Sequence, residues 1–262
     1  MNRLRIVLIG AGNVATHFAF ALKKSNHKLV QVYSRNITNA QELALKINAK
    51  AINDITHIEQ NADLYMIAVS DNAIETILSS FDFSHKKVIH TAGSVPLNIF
   101  PPDISNAGIL YPFQTFSKKR TINFREVPLC IEANNPEFEN FLLDLSSQLS
   151  DNVQMVNSDK RKYLHLSGVF ACNFVNHLYY IAGNILEEQT LDAKLLFPLI
   201  KETAAKIESL SPLQAQTGPA LRNDTKSLKK HLDLLTLKPE YREIYKWFSE
   251  QIFKTSAKQN KI

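Results

Sequence analysis

The sequence predicts an α/β fold, in which a doubly wound, mainly parallel sheet is followed by an all-helical C-terminal domain. Strand-like and helix-like segments alternate over the first half of the chain, as they do where crossover helices connect parallel strands. From Lys160 onward, apolar residues recur at three- and four-residue spacing with almost no strand signal. We therefore expect a sheet domain over residues 1–157 and a helical domain over residues 158–262.

Short apolar runs bounded by turn residues mark the strands. The predicted strands are Arg5–Ile9, Leu29–Ser34, Lys50–Ala51, Leu64–Val69, Lys87–Thr91, Ala107–Tyr111, Pro128–Glu132 and Val153–Val156. A helix is predicted from Pro136, because proline is tolerated in a first turn, where its missing N–H would have no partner. In the second half, a long helix is predicted from about Lys162, with breaks at 183–191, 211–218 and 238–239.

Length and composition favour a cytoplasmic protein of two domains. The 262 residues, 45% of them hydrophobic, can bury one or two ordinary cores. No apolar run reaches the roughly 18 to 20 residues that span a bilayer, and a strand that begins by Leu4 leaves no room for a signal peptide. Cys130 and Cys172 lack metal-ligand spacing, so we expect no metal site.

The charge pattern does not indicate a nucleic-acid-binding protein. The formal net charge of +5 is mild, and the basic residues are scattered except at Lys118–Arg120 and in the C-terminal tail. Nucleic-acid-binding proteins usually concentrate positive charge on one element. We interpret these lysines as solvated surface and expect neither nucleic acid nor a membrane as a partner.

The first strand, turn and helix carry a dinucleotide-binding fingerprint. The strand ends in GAGNVA, in which Gly10 allows a sharp turn and Gly12 lets the backbone approach a diphosphate. The backbone N–H groups of Asn13 and Val14 begin the helix, whose positive end favours an anion. Because a second strand follows at the required distance, the motif predicts a Rossmann-like cofactor site.

The end of the second predicted strand favours NADP over NAD. An NAD site usually has Asp or Glu at this position, where it binds the ribose hydroxyls and repels a 2′-phosphate. This chain has Ser34, Arg35 and Asn36, and a hydroxyl and a guanidinium donate hydrogen bonds to such a phosphate. The alternative is that Arg35 is an ordinary solvated loop residue.

Two further loops follow predicted strands at the carboxyl edge of the sheet, where ligands bind in open α/β folds. Their sequences are AVSDNAI and HTAGS, and their small residues allow the nicotinamide half of the cofactor to lie against the backbone. Helix capping alone would also explain the polar residues of either loop. The predicted cofactor-binding residues here are Val69, Ser70, Asn72, Thr91, Ala92 and Gly93.

Together with GILYPFQTFS, HLSGVFACNFVNHL and QTGPALRNDTKSLKKHL, these motifs resemble the superfamily of pyrroline-5-carboxylate reductase, 6-phosphogluconate dehydrogenase and ketopantoate reductase. Closer still, the chain is similar to a family of NADP oxidoreductases with a Rossmann-like domain and an incompletely characterised helical C-terminal domain. The resemblance implies NADP as the cofactor and a homodimer through the helical domain. It also implies a substrate pocket beside residues 165–177 and 217–224. The lysine–asparagine pair of the hydroxyacid and ketopantoate enzymes is not clearly present, since Val169 and Cys172 stand four residues before Asn173 and Asn176.

Hydride transfer to a carbonyl or imine also needs a group that stabilises or protonates the acceptor. The candidates are Tyr111, His165, Ser167, Asn173, His177 and Thr217, with Arg222 available to hold an acidic substrate. Helical spacing predicts that His165, Asn173 and His177 share one face. An internal hydrogen-bond network would explain this polar stripe at least as well as a substrate would.

We therefore expect an NADP-dependent oxidoreductase that transfers hydride to a small keto or imino acid. A second hypothesis is a non-catalytic dinucleotide sensor or scaffold, which the missing lysine favours. A third is an NADP reductase that uses a deazaflavin, which would need a wide pocket.

Overall fold

An eight-stranded sheet is the framework of the N-terminal part. The computed structural model describes residues 3–259. In chain order the strands are β1 (Arg5–Ile9), β2 (Lys28–Tyr33), β3 (Lys50–Ile52), β4 (Leu64–Ile67), β5 (Lys87–His90), β6 (Asn106–Pro112), β7 (Leu129–Ala133) and β8 (Val153–Met155). They stand in the order β3-β2-β1-β4-β5-β6-β7-β8, and all neighbours are parallel except β6 and β7. The predicted fold class is confirmed, and each predicted strand coincides with an observed one to within a few residues.

The helices fall into two groups along the chain. Those that accompany the sheet are α1 (Asn13–Lys24), α2 (Ile37–Ile47), α3 (Ile74–Ser79), α4 (Pro136–Leu149) and α5 (Ser158–Gly168). After a π-helix at Val169–Phe174 come α6 (Val175–Glu187), α7 (Phe197–Lys206), α8 (Pro212–Ala215), α9 (Thr225–Leu234) and α10 (Pro239–Gln259). The predicted helical C-terminal part is thus confirmed. Within residues 3–259, no helix combines the length and the apolar character needed to cross a bilayer.

The sheet is covered on both faces, because its strands have apolar residues pointing to both sides. In β1, Ile6 and Leu8 pack into one hydrophobic core together with residues of α1, α2 and α4. Val7 and Ile9 pack into a second core with residues of α3. All four side chains are fully buried. The central strands therefore hold the carboxyl edge of the sheet in a fixed position.

Two predicted helix boundaries were wrong. Helix α5 begins at Ser158 rather than near Lys162, because the Asn157 side chain accepts a hydrogen bond from the Lys160 N–H (3.0 Å) and caps the helix at that point. The break predicted from Gly183 begins later, since α6 continues through this residue to Glu187. One glycine costs a helix interior only about 1 kcal/mol relative to alanine, so it does not end the helix.

The chain divides into two compact units, one ending at Asn173 and the other starting at Phe174. The first unit therefore contains the sheet, helix α5 and most of the π-helix. The domain boundary predicted at residues 157 and 158 lies one helix earlier and stays a prediction. In the second unit, Ile181 and Ala220 are the buried apolar residues among those described, and many large apolar side chains are exposed.

Candidate functional site

A cavity of about 690 Å³ follows the carboxyl edge of the sheet, within the first unit. We call it the cofactor cavity. It is lined by the segments that follow β1, β2, β4 and β5, which is where ligands bind in open α/β sheets. Twelve of the predicted cofactor-binding residues line it: Gly10, Gly12, Asn13, Val14, Ser34, Arg35, Val69, Ser70, Asn72, Thr91, Ala92 and Gly93.

The turn between β1 and α1 forms a cradle that fits a diphosphate. Gly10 has φ +127°, and a Cβ there would lie 2.1 Å from the Ala68 carbonyl oxygen, so only glycine fits. A Cβ at Gly12 would meet no atom within 4 Å, which leaves the backbone open toward the cavity. No side chain caps the start of α1. Its first N–H groups are therefore available to the diphosphate of NADP.

The end of β2 places two hydrogen-bond donors at the cofactor cavity. Ser34 and Arg35 line the cofactor cavity, and Arg35 is exposed. Asn36 does not line the cavity, although the sequence predicted it as a cofactor residue. Its side chain instead accepts a hydrogen bond from the Thr38 N–H (3.0 Å) and caps α2. The two predicted donors to a 2′-phosphate, Ser34 and Arg35, therefore both line the cavity.

The loop after β5 is held by groups that the sequence analysis did not select. His90 is fully buried, and its Nδ1 accepts a hydrogen bond from the Ala92 N–H (3.2 Å). Burial, together with the nearby charge of Arg161, lowers the pKa of His90 to about 3, so the ring is neutral and keeps this acceptor. Ser94 donates a hydrogen bond to Asp71, which joins this loop to the one after β4.

Tyr111 and His165 form a hydrogen-bonded pair in the wall of the cofactor cavity. The Tyr111 hydroxyl oxygen and His165 Nδ1 are 3.0 Å apart. A Cβ at Gly93 would lie 2.6 Å from that nitrogen and 2.7 Å from the Tyr111 ring, so the loop backbone packs directly against the pair. Burial raises the pKa of Tyr111 to about 12, and the phenol therefore stays protonated at neutral pH. The arrangement offers a hydroxyl donor in the wall of the cofactor cavity.

A second cavity, of about 350 Å³, shares this pair. We call it the side cavity. Tyr111, Gln114 and His165 line both cavities, so the pair stands where the two meet. Its other walls are mostly apolar, and Asn173 adds an amide. A Cβ at Gly168 would lie 2.8 Å from the Phe113 ring, so a larger residue would push into this wall.

The remaining predicted catalytic residues are used differently. Neither cavity is lined by Ser167, His177 or Thr217. The Ser167 hydroxyl donates to the Leu164 carbonyl (2.7 Å), the His177 ring stacks on Tyr180 at 6.0 Å, and Thr217 is exposed. Arg222 is exposed. Hydrogen bonds from Ser227 lower the pKa of Asp224, which caps α9, and the charge of Arg222 adds to this lowering.

A π-helix interrupts the helical run that carries His165, Asn173 and His177, so their predicted common face stays a prediction. The π-helix at Val169–Phe174 lies between the first and last of them. A π-turn closes its hydrogen bonds over five residues, so α-helical spacing no longer predicts which side chains align. Of the three, His165 and Asn173 line the side cavity.

Arg161 anchors helix α5 to the sheet unit, one turn before His165. Its guanidinium is buried and donates to the Glu132 carboxylate (2.5 Å), to the Val95 carbonyl (2.7 Å) and to the Ser158 hydroxyl (3.0 Å). These partners belong to β7, to the loop after β5 and to the start of α5. A charged residue is rarely buried so deeply unless it is paired. The sequence analysis missed Arg161, because neither its burial nor its partners can be read from the sequence.

Family models match two separate parts of the chain. Residues 5–93 match a family model described as "NADP oxidoreductase coenzyme F420-dependent". Residues 127–252 match a domain of unknown function, DUF2520. A solved structure from Bacteroides fragilis, described as a "putative NADP oxidoreductase", is 39% identical with a TM-score of 0.91, and the match covers 96% of this chain and 98% of that one.

More distant structures share the fold. An imine reductase from Myxococcus stipitatus in complex with NADP+ is 16% identical with a TM-score of 0.63, covering 98% of this chain and 94% of that one. A 1-pyrroline-5-carboxylate reductase from Streptococcus pyogenes is 13% identical with a TM-score of 0.64, covering 97% and 100%. Among curated proteins, a glutamyl-tRNA reductase from Nitratidesulfovibrio vulgaris is 28% identical over 129 residues, or 47% of this chain. That match spans 29% of the reductase's length.

Proposed function

We propose that this chain, which belongs to the family of NADP oxidoreductases, reduces the C=N or C=O bond of a small imino or keto acid. The chain is an NADP-dependent oxidoreductase by its family. The observation that carries the finer proposal is the Tyr111–His165 pair, which stands where the cofactor cavity meets the side cavity. The two distant reductases, one of imines and one of 1-pyrroline-5-carboxylate, support a C=N acceptor.

The residues of the cofactor cavity bind and orient the cofactor. NADPH supplies the hydride when it is bound. The open turn at Gly12 and the N–H groups of Asn13 and Val14 hold the diphosphate, while Ser34 and Arg35 hold the 2′-phosphate.

The Tyr111–His165 pair acts on the substrate. The phenol of Tyr111 donates a hydrogen bond to the nitrogen or oxygen of the double bond, which favours the charge that develops there during reduction. When Nδ1 of His165 carries a proton, it donates to the phenol oxygen and leaves the phenol proton for the substrate. The amides of Gln114 and Asn173 are positioned to bind polar groups of a substrate in the side cavity.

The test is turnover by the Tyr111→Phe variant. We expect kcat to fall about 10²-fold or more, because the ring keeps its packing but loses its proton. The dissociation constant of NADPH should change by no more than about twofold, since the phenol binds the acceptor rather than the diphosphate. NADPH consumption with a panel of cyclic imino acids and 2-keto acids measures the first quantity, and fluorescence titration measures the second.

Tyr163→Phe is the matched control, because that tyrosine lies on the same helix as His165, is 67% exposed and lines neither cavity. It should retain wild-type kcat. Full activity in Tyr111→Phe would show that the proton donor lies elsewhere. NADPH binding with no acceptor consumed would instead favour a dinucleotide sensor.

A deazaflavin is the second candidate acceptor. The family description that matches residues 5–93 names a coenzyme F420-dependent reaction, but the match ends before Tyr111 and His165. Adding oxidised coenzyme F420 to the same panel separates the candidates. Hydride transfer to F420 with no turnover of imino or keto acids would replace the proposal above.

We also propose that the protein acts as a homodimer assembled through its second unit. The support is the apolar surface of that unit, which leaves several large side chains more than half exposed: Tyr180, Leu195, Phe197, Leu199, Ile207, Leu234, Leu237 and Trp247. Soluble monomers rarely expose this much apolar surface, so a second copy is the simplest cover.

A further inference from the structure

A third cavity, of about 580 Å³, lies on the first unit and shares no residue with the cofactor cavity. We call it the α1 cavity. It is lined by residues of α1 from Thr16 onward, by Lys118 and residues 120–125 of the loop between β6 and β7, and by the end of α4. Its volume is typical of small-molecule sites, which usually measure about 300–1,000 Å³.

The walls of the α1 cavity carry unpaired positive charge. Lys24, Lys118 and Arg120 line it, and none of their side chains forms an ion pair or hydrogen bond with another described residue. Arg125 also lines it, but it is bonded to Asp151 and to the Ser147 and Gln148 carbonyls. No Asp or Glu is among the described residues of the lining. Cations gathered without a carboxylate repel one another and favour an anion between them.

The same cavity offers an aromatic face. Phe20 is 42% exposed, although most apolar residues of α1 are buried against the sheet. Phe124 and Ile122 from the loop complete an apolar patch. Aromatic rings beside lysine and arginine are the combination that stacks a nucleobase and neutralises its phosphates.

We propose that the α1 cavity binds a nucleoside diphosphate. Its phosphates contact Lys24, Lys118 and Arg120, and its base stacks on Phe20. The basic segment Lys118–Arg120, which the sequence led us to interpret as solvated surface, thereby becomes part of a site. This ligand is separate from NADP, whose proposed place is the cofactor cavity.

The loop that carries these cations is fixed to helix α1 at two points. The Lys118 N–H donates to Asn13 Oδ1 (3.2 Å), and His17 Nε2 lies 3.0 Å from the Ser117 carbonyl oxygen. Asn13 also lines the cofactor cavity. These two hydrogen bonds hold the loop wall of the α1 cavity against α1. The proposed ligand therefore contacts a loop that is bonded to Asn13, a residue of the cofactor cavity.

The experiment is calorimetric titration of the NADPH-saturated protein with ADP and, separately, with inorganic pyrophosphate. Saturation with NADPH prevents ADP from binding to the adenosine half of the cofactor cavity. We expect ADP to bind the wild type, and the Lys118→Ala/Arg120→Ala variant to weaken that binding about tenfold or more, because two charge-assisted contacts are lost. Phe20→Ala should weaken ADP binding but leave pyrophosphate binding unchanged.

Lys119→Ala is the matched control, because this lysine lies between the two substituted residues but does not line the cavity. It should bind ADP as the wild type does. The proposal is overturned if ADP does not bind the NADPH-saturated wild type, or if the double variant binds it equally well. Equal effects of Phe20→Ala on ADP and pyrophosphate would overturn the part of the proposal that concerns the base. These outcomes do not depend on turnover, so they are independent of the Tyr111 test.

Discussion

At the scale of single residues, Gly93 shows how closely the loop after β5 packs against the Tyr111–His165 pair. A Cβ there would overlap both His165 and Tyr111, at 2.6 Å and 2.7 Å. The sequence predicted Gly93 as a cofactor residue because small residues follow a strand at the sheet edge. It could not show the second role, because the Tyr111–His165 contact joins residues 54 positions apart. Each residue was a candidate by type, but their pairing depends on the fold.

At the same scale, we propose that Arg35 sets the preference for NADP. We expect Arg35→Ala to raise the dissociation constant of NADPH about tenfold or more, because a charge-assisted hydrogen bond to the 2′-phosphate is lost. The dissociation constant of NADH should stay within about twofold, since NADH has no such phosphate. Parallel fluorescence titrations measure both values. Arg242→Ala, which removes an exposed arginine hydrogen-bonded to the Leu232 carbonyl, is the control and should alter neither. An equal loss for both nucleotides would show that Arg35 does not read the phosphate.

At the scale of elements, the strands could be predicted from the sequence, but the π-helix and the attachment of α5 to the sheet could not. Strands are short apolar runs bounded by turn residues, and the turn at Gly10 carries its own local signal, so both could be read from the sequence. The π-helix after α5 could not be predicted, because no residue pattern in the sequence distinguishes its five-residue hydrogen bonds from the four-residue ones of an α-helix. The anchor of α5 at Arg161 is likewise invisible until β7 and the loop after β5 stand beside it.

This anchor leads to a prediction about helix α5. Arg161→Met leaves the Glu132 carboxylate, 16% exposed, without its charged partner, with only the Ser158 hydroxyl still donating to it, and should lower the free energy of unfolding by about 3 kcal/mol. It should also lower kcat, because the turn that carries His165 loses its attachment to the Val95 carbonyl. Urea unfolding and steady-state kinetics measure the two effects.

The double variant Arg161→Met/Glu132→Leu separates the two effects of this anchor. Replacing both charges with apolar side chains removes the unpaired carboxylate, so much of the stability should return. The kcat should stay low, since the Val95 carbonyl still lacks its donor. If kcat returned together with stability, Arg161 would serve folding alone.

At the scale of the whole molecule, the two units differ in how they treat apolar surface. The first unit buries its strands between two cores. The second leaves Leu195, Phe197 and Leu199 exposed by 65%, 55% and 63% within one short segment. At about 25 cal/mol per Å² of apolar surface, covering such side chains is a large driving force for association. Helical periodicity in the sequence shows which side chains are apolar, but it does not show whether one chain buries them or leaves them exposed for a partner.

The dimer is tested by a charge placed in that segment. We expect the wild type to have a mass in solution of about twice the 29.7 kDa of the chain. Leu199→Glu should shift the mass to that of one chain, because a carboxylate buried in an apolar interface has no partner and is costly to desolvate. Leu45→Glu places the same charge on α2, at a leucine that is 86% exposed in the first unit, and should leave the dimer intact. Light scattering coupled to gel filtration measures the masses. A monomeric wild type would contradict the dimer, and a Leu199→Glu variant that stays dimeric would place the interface outside this segment.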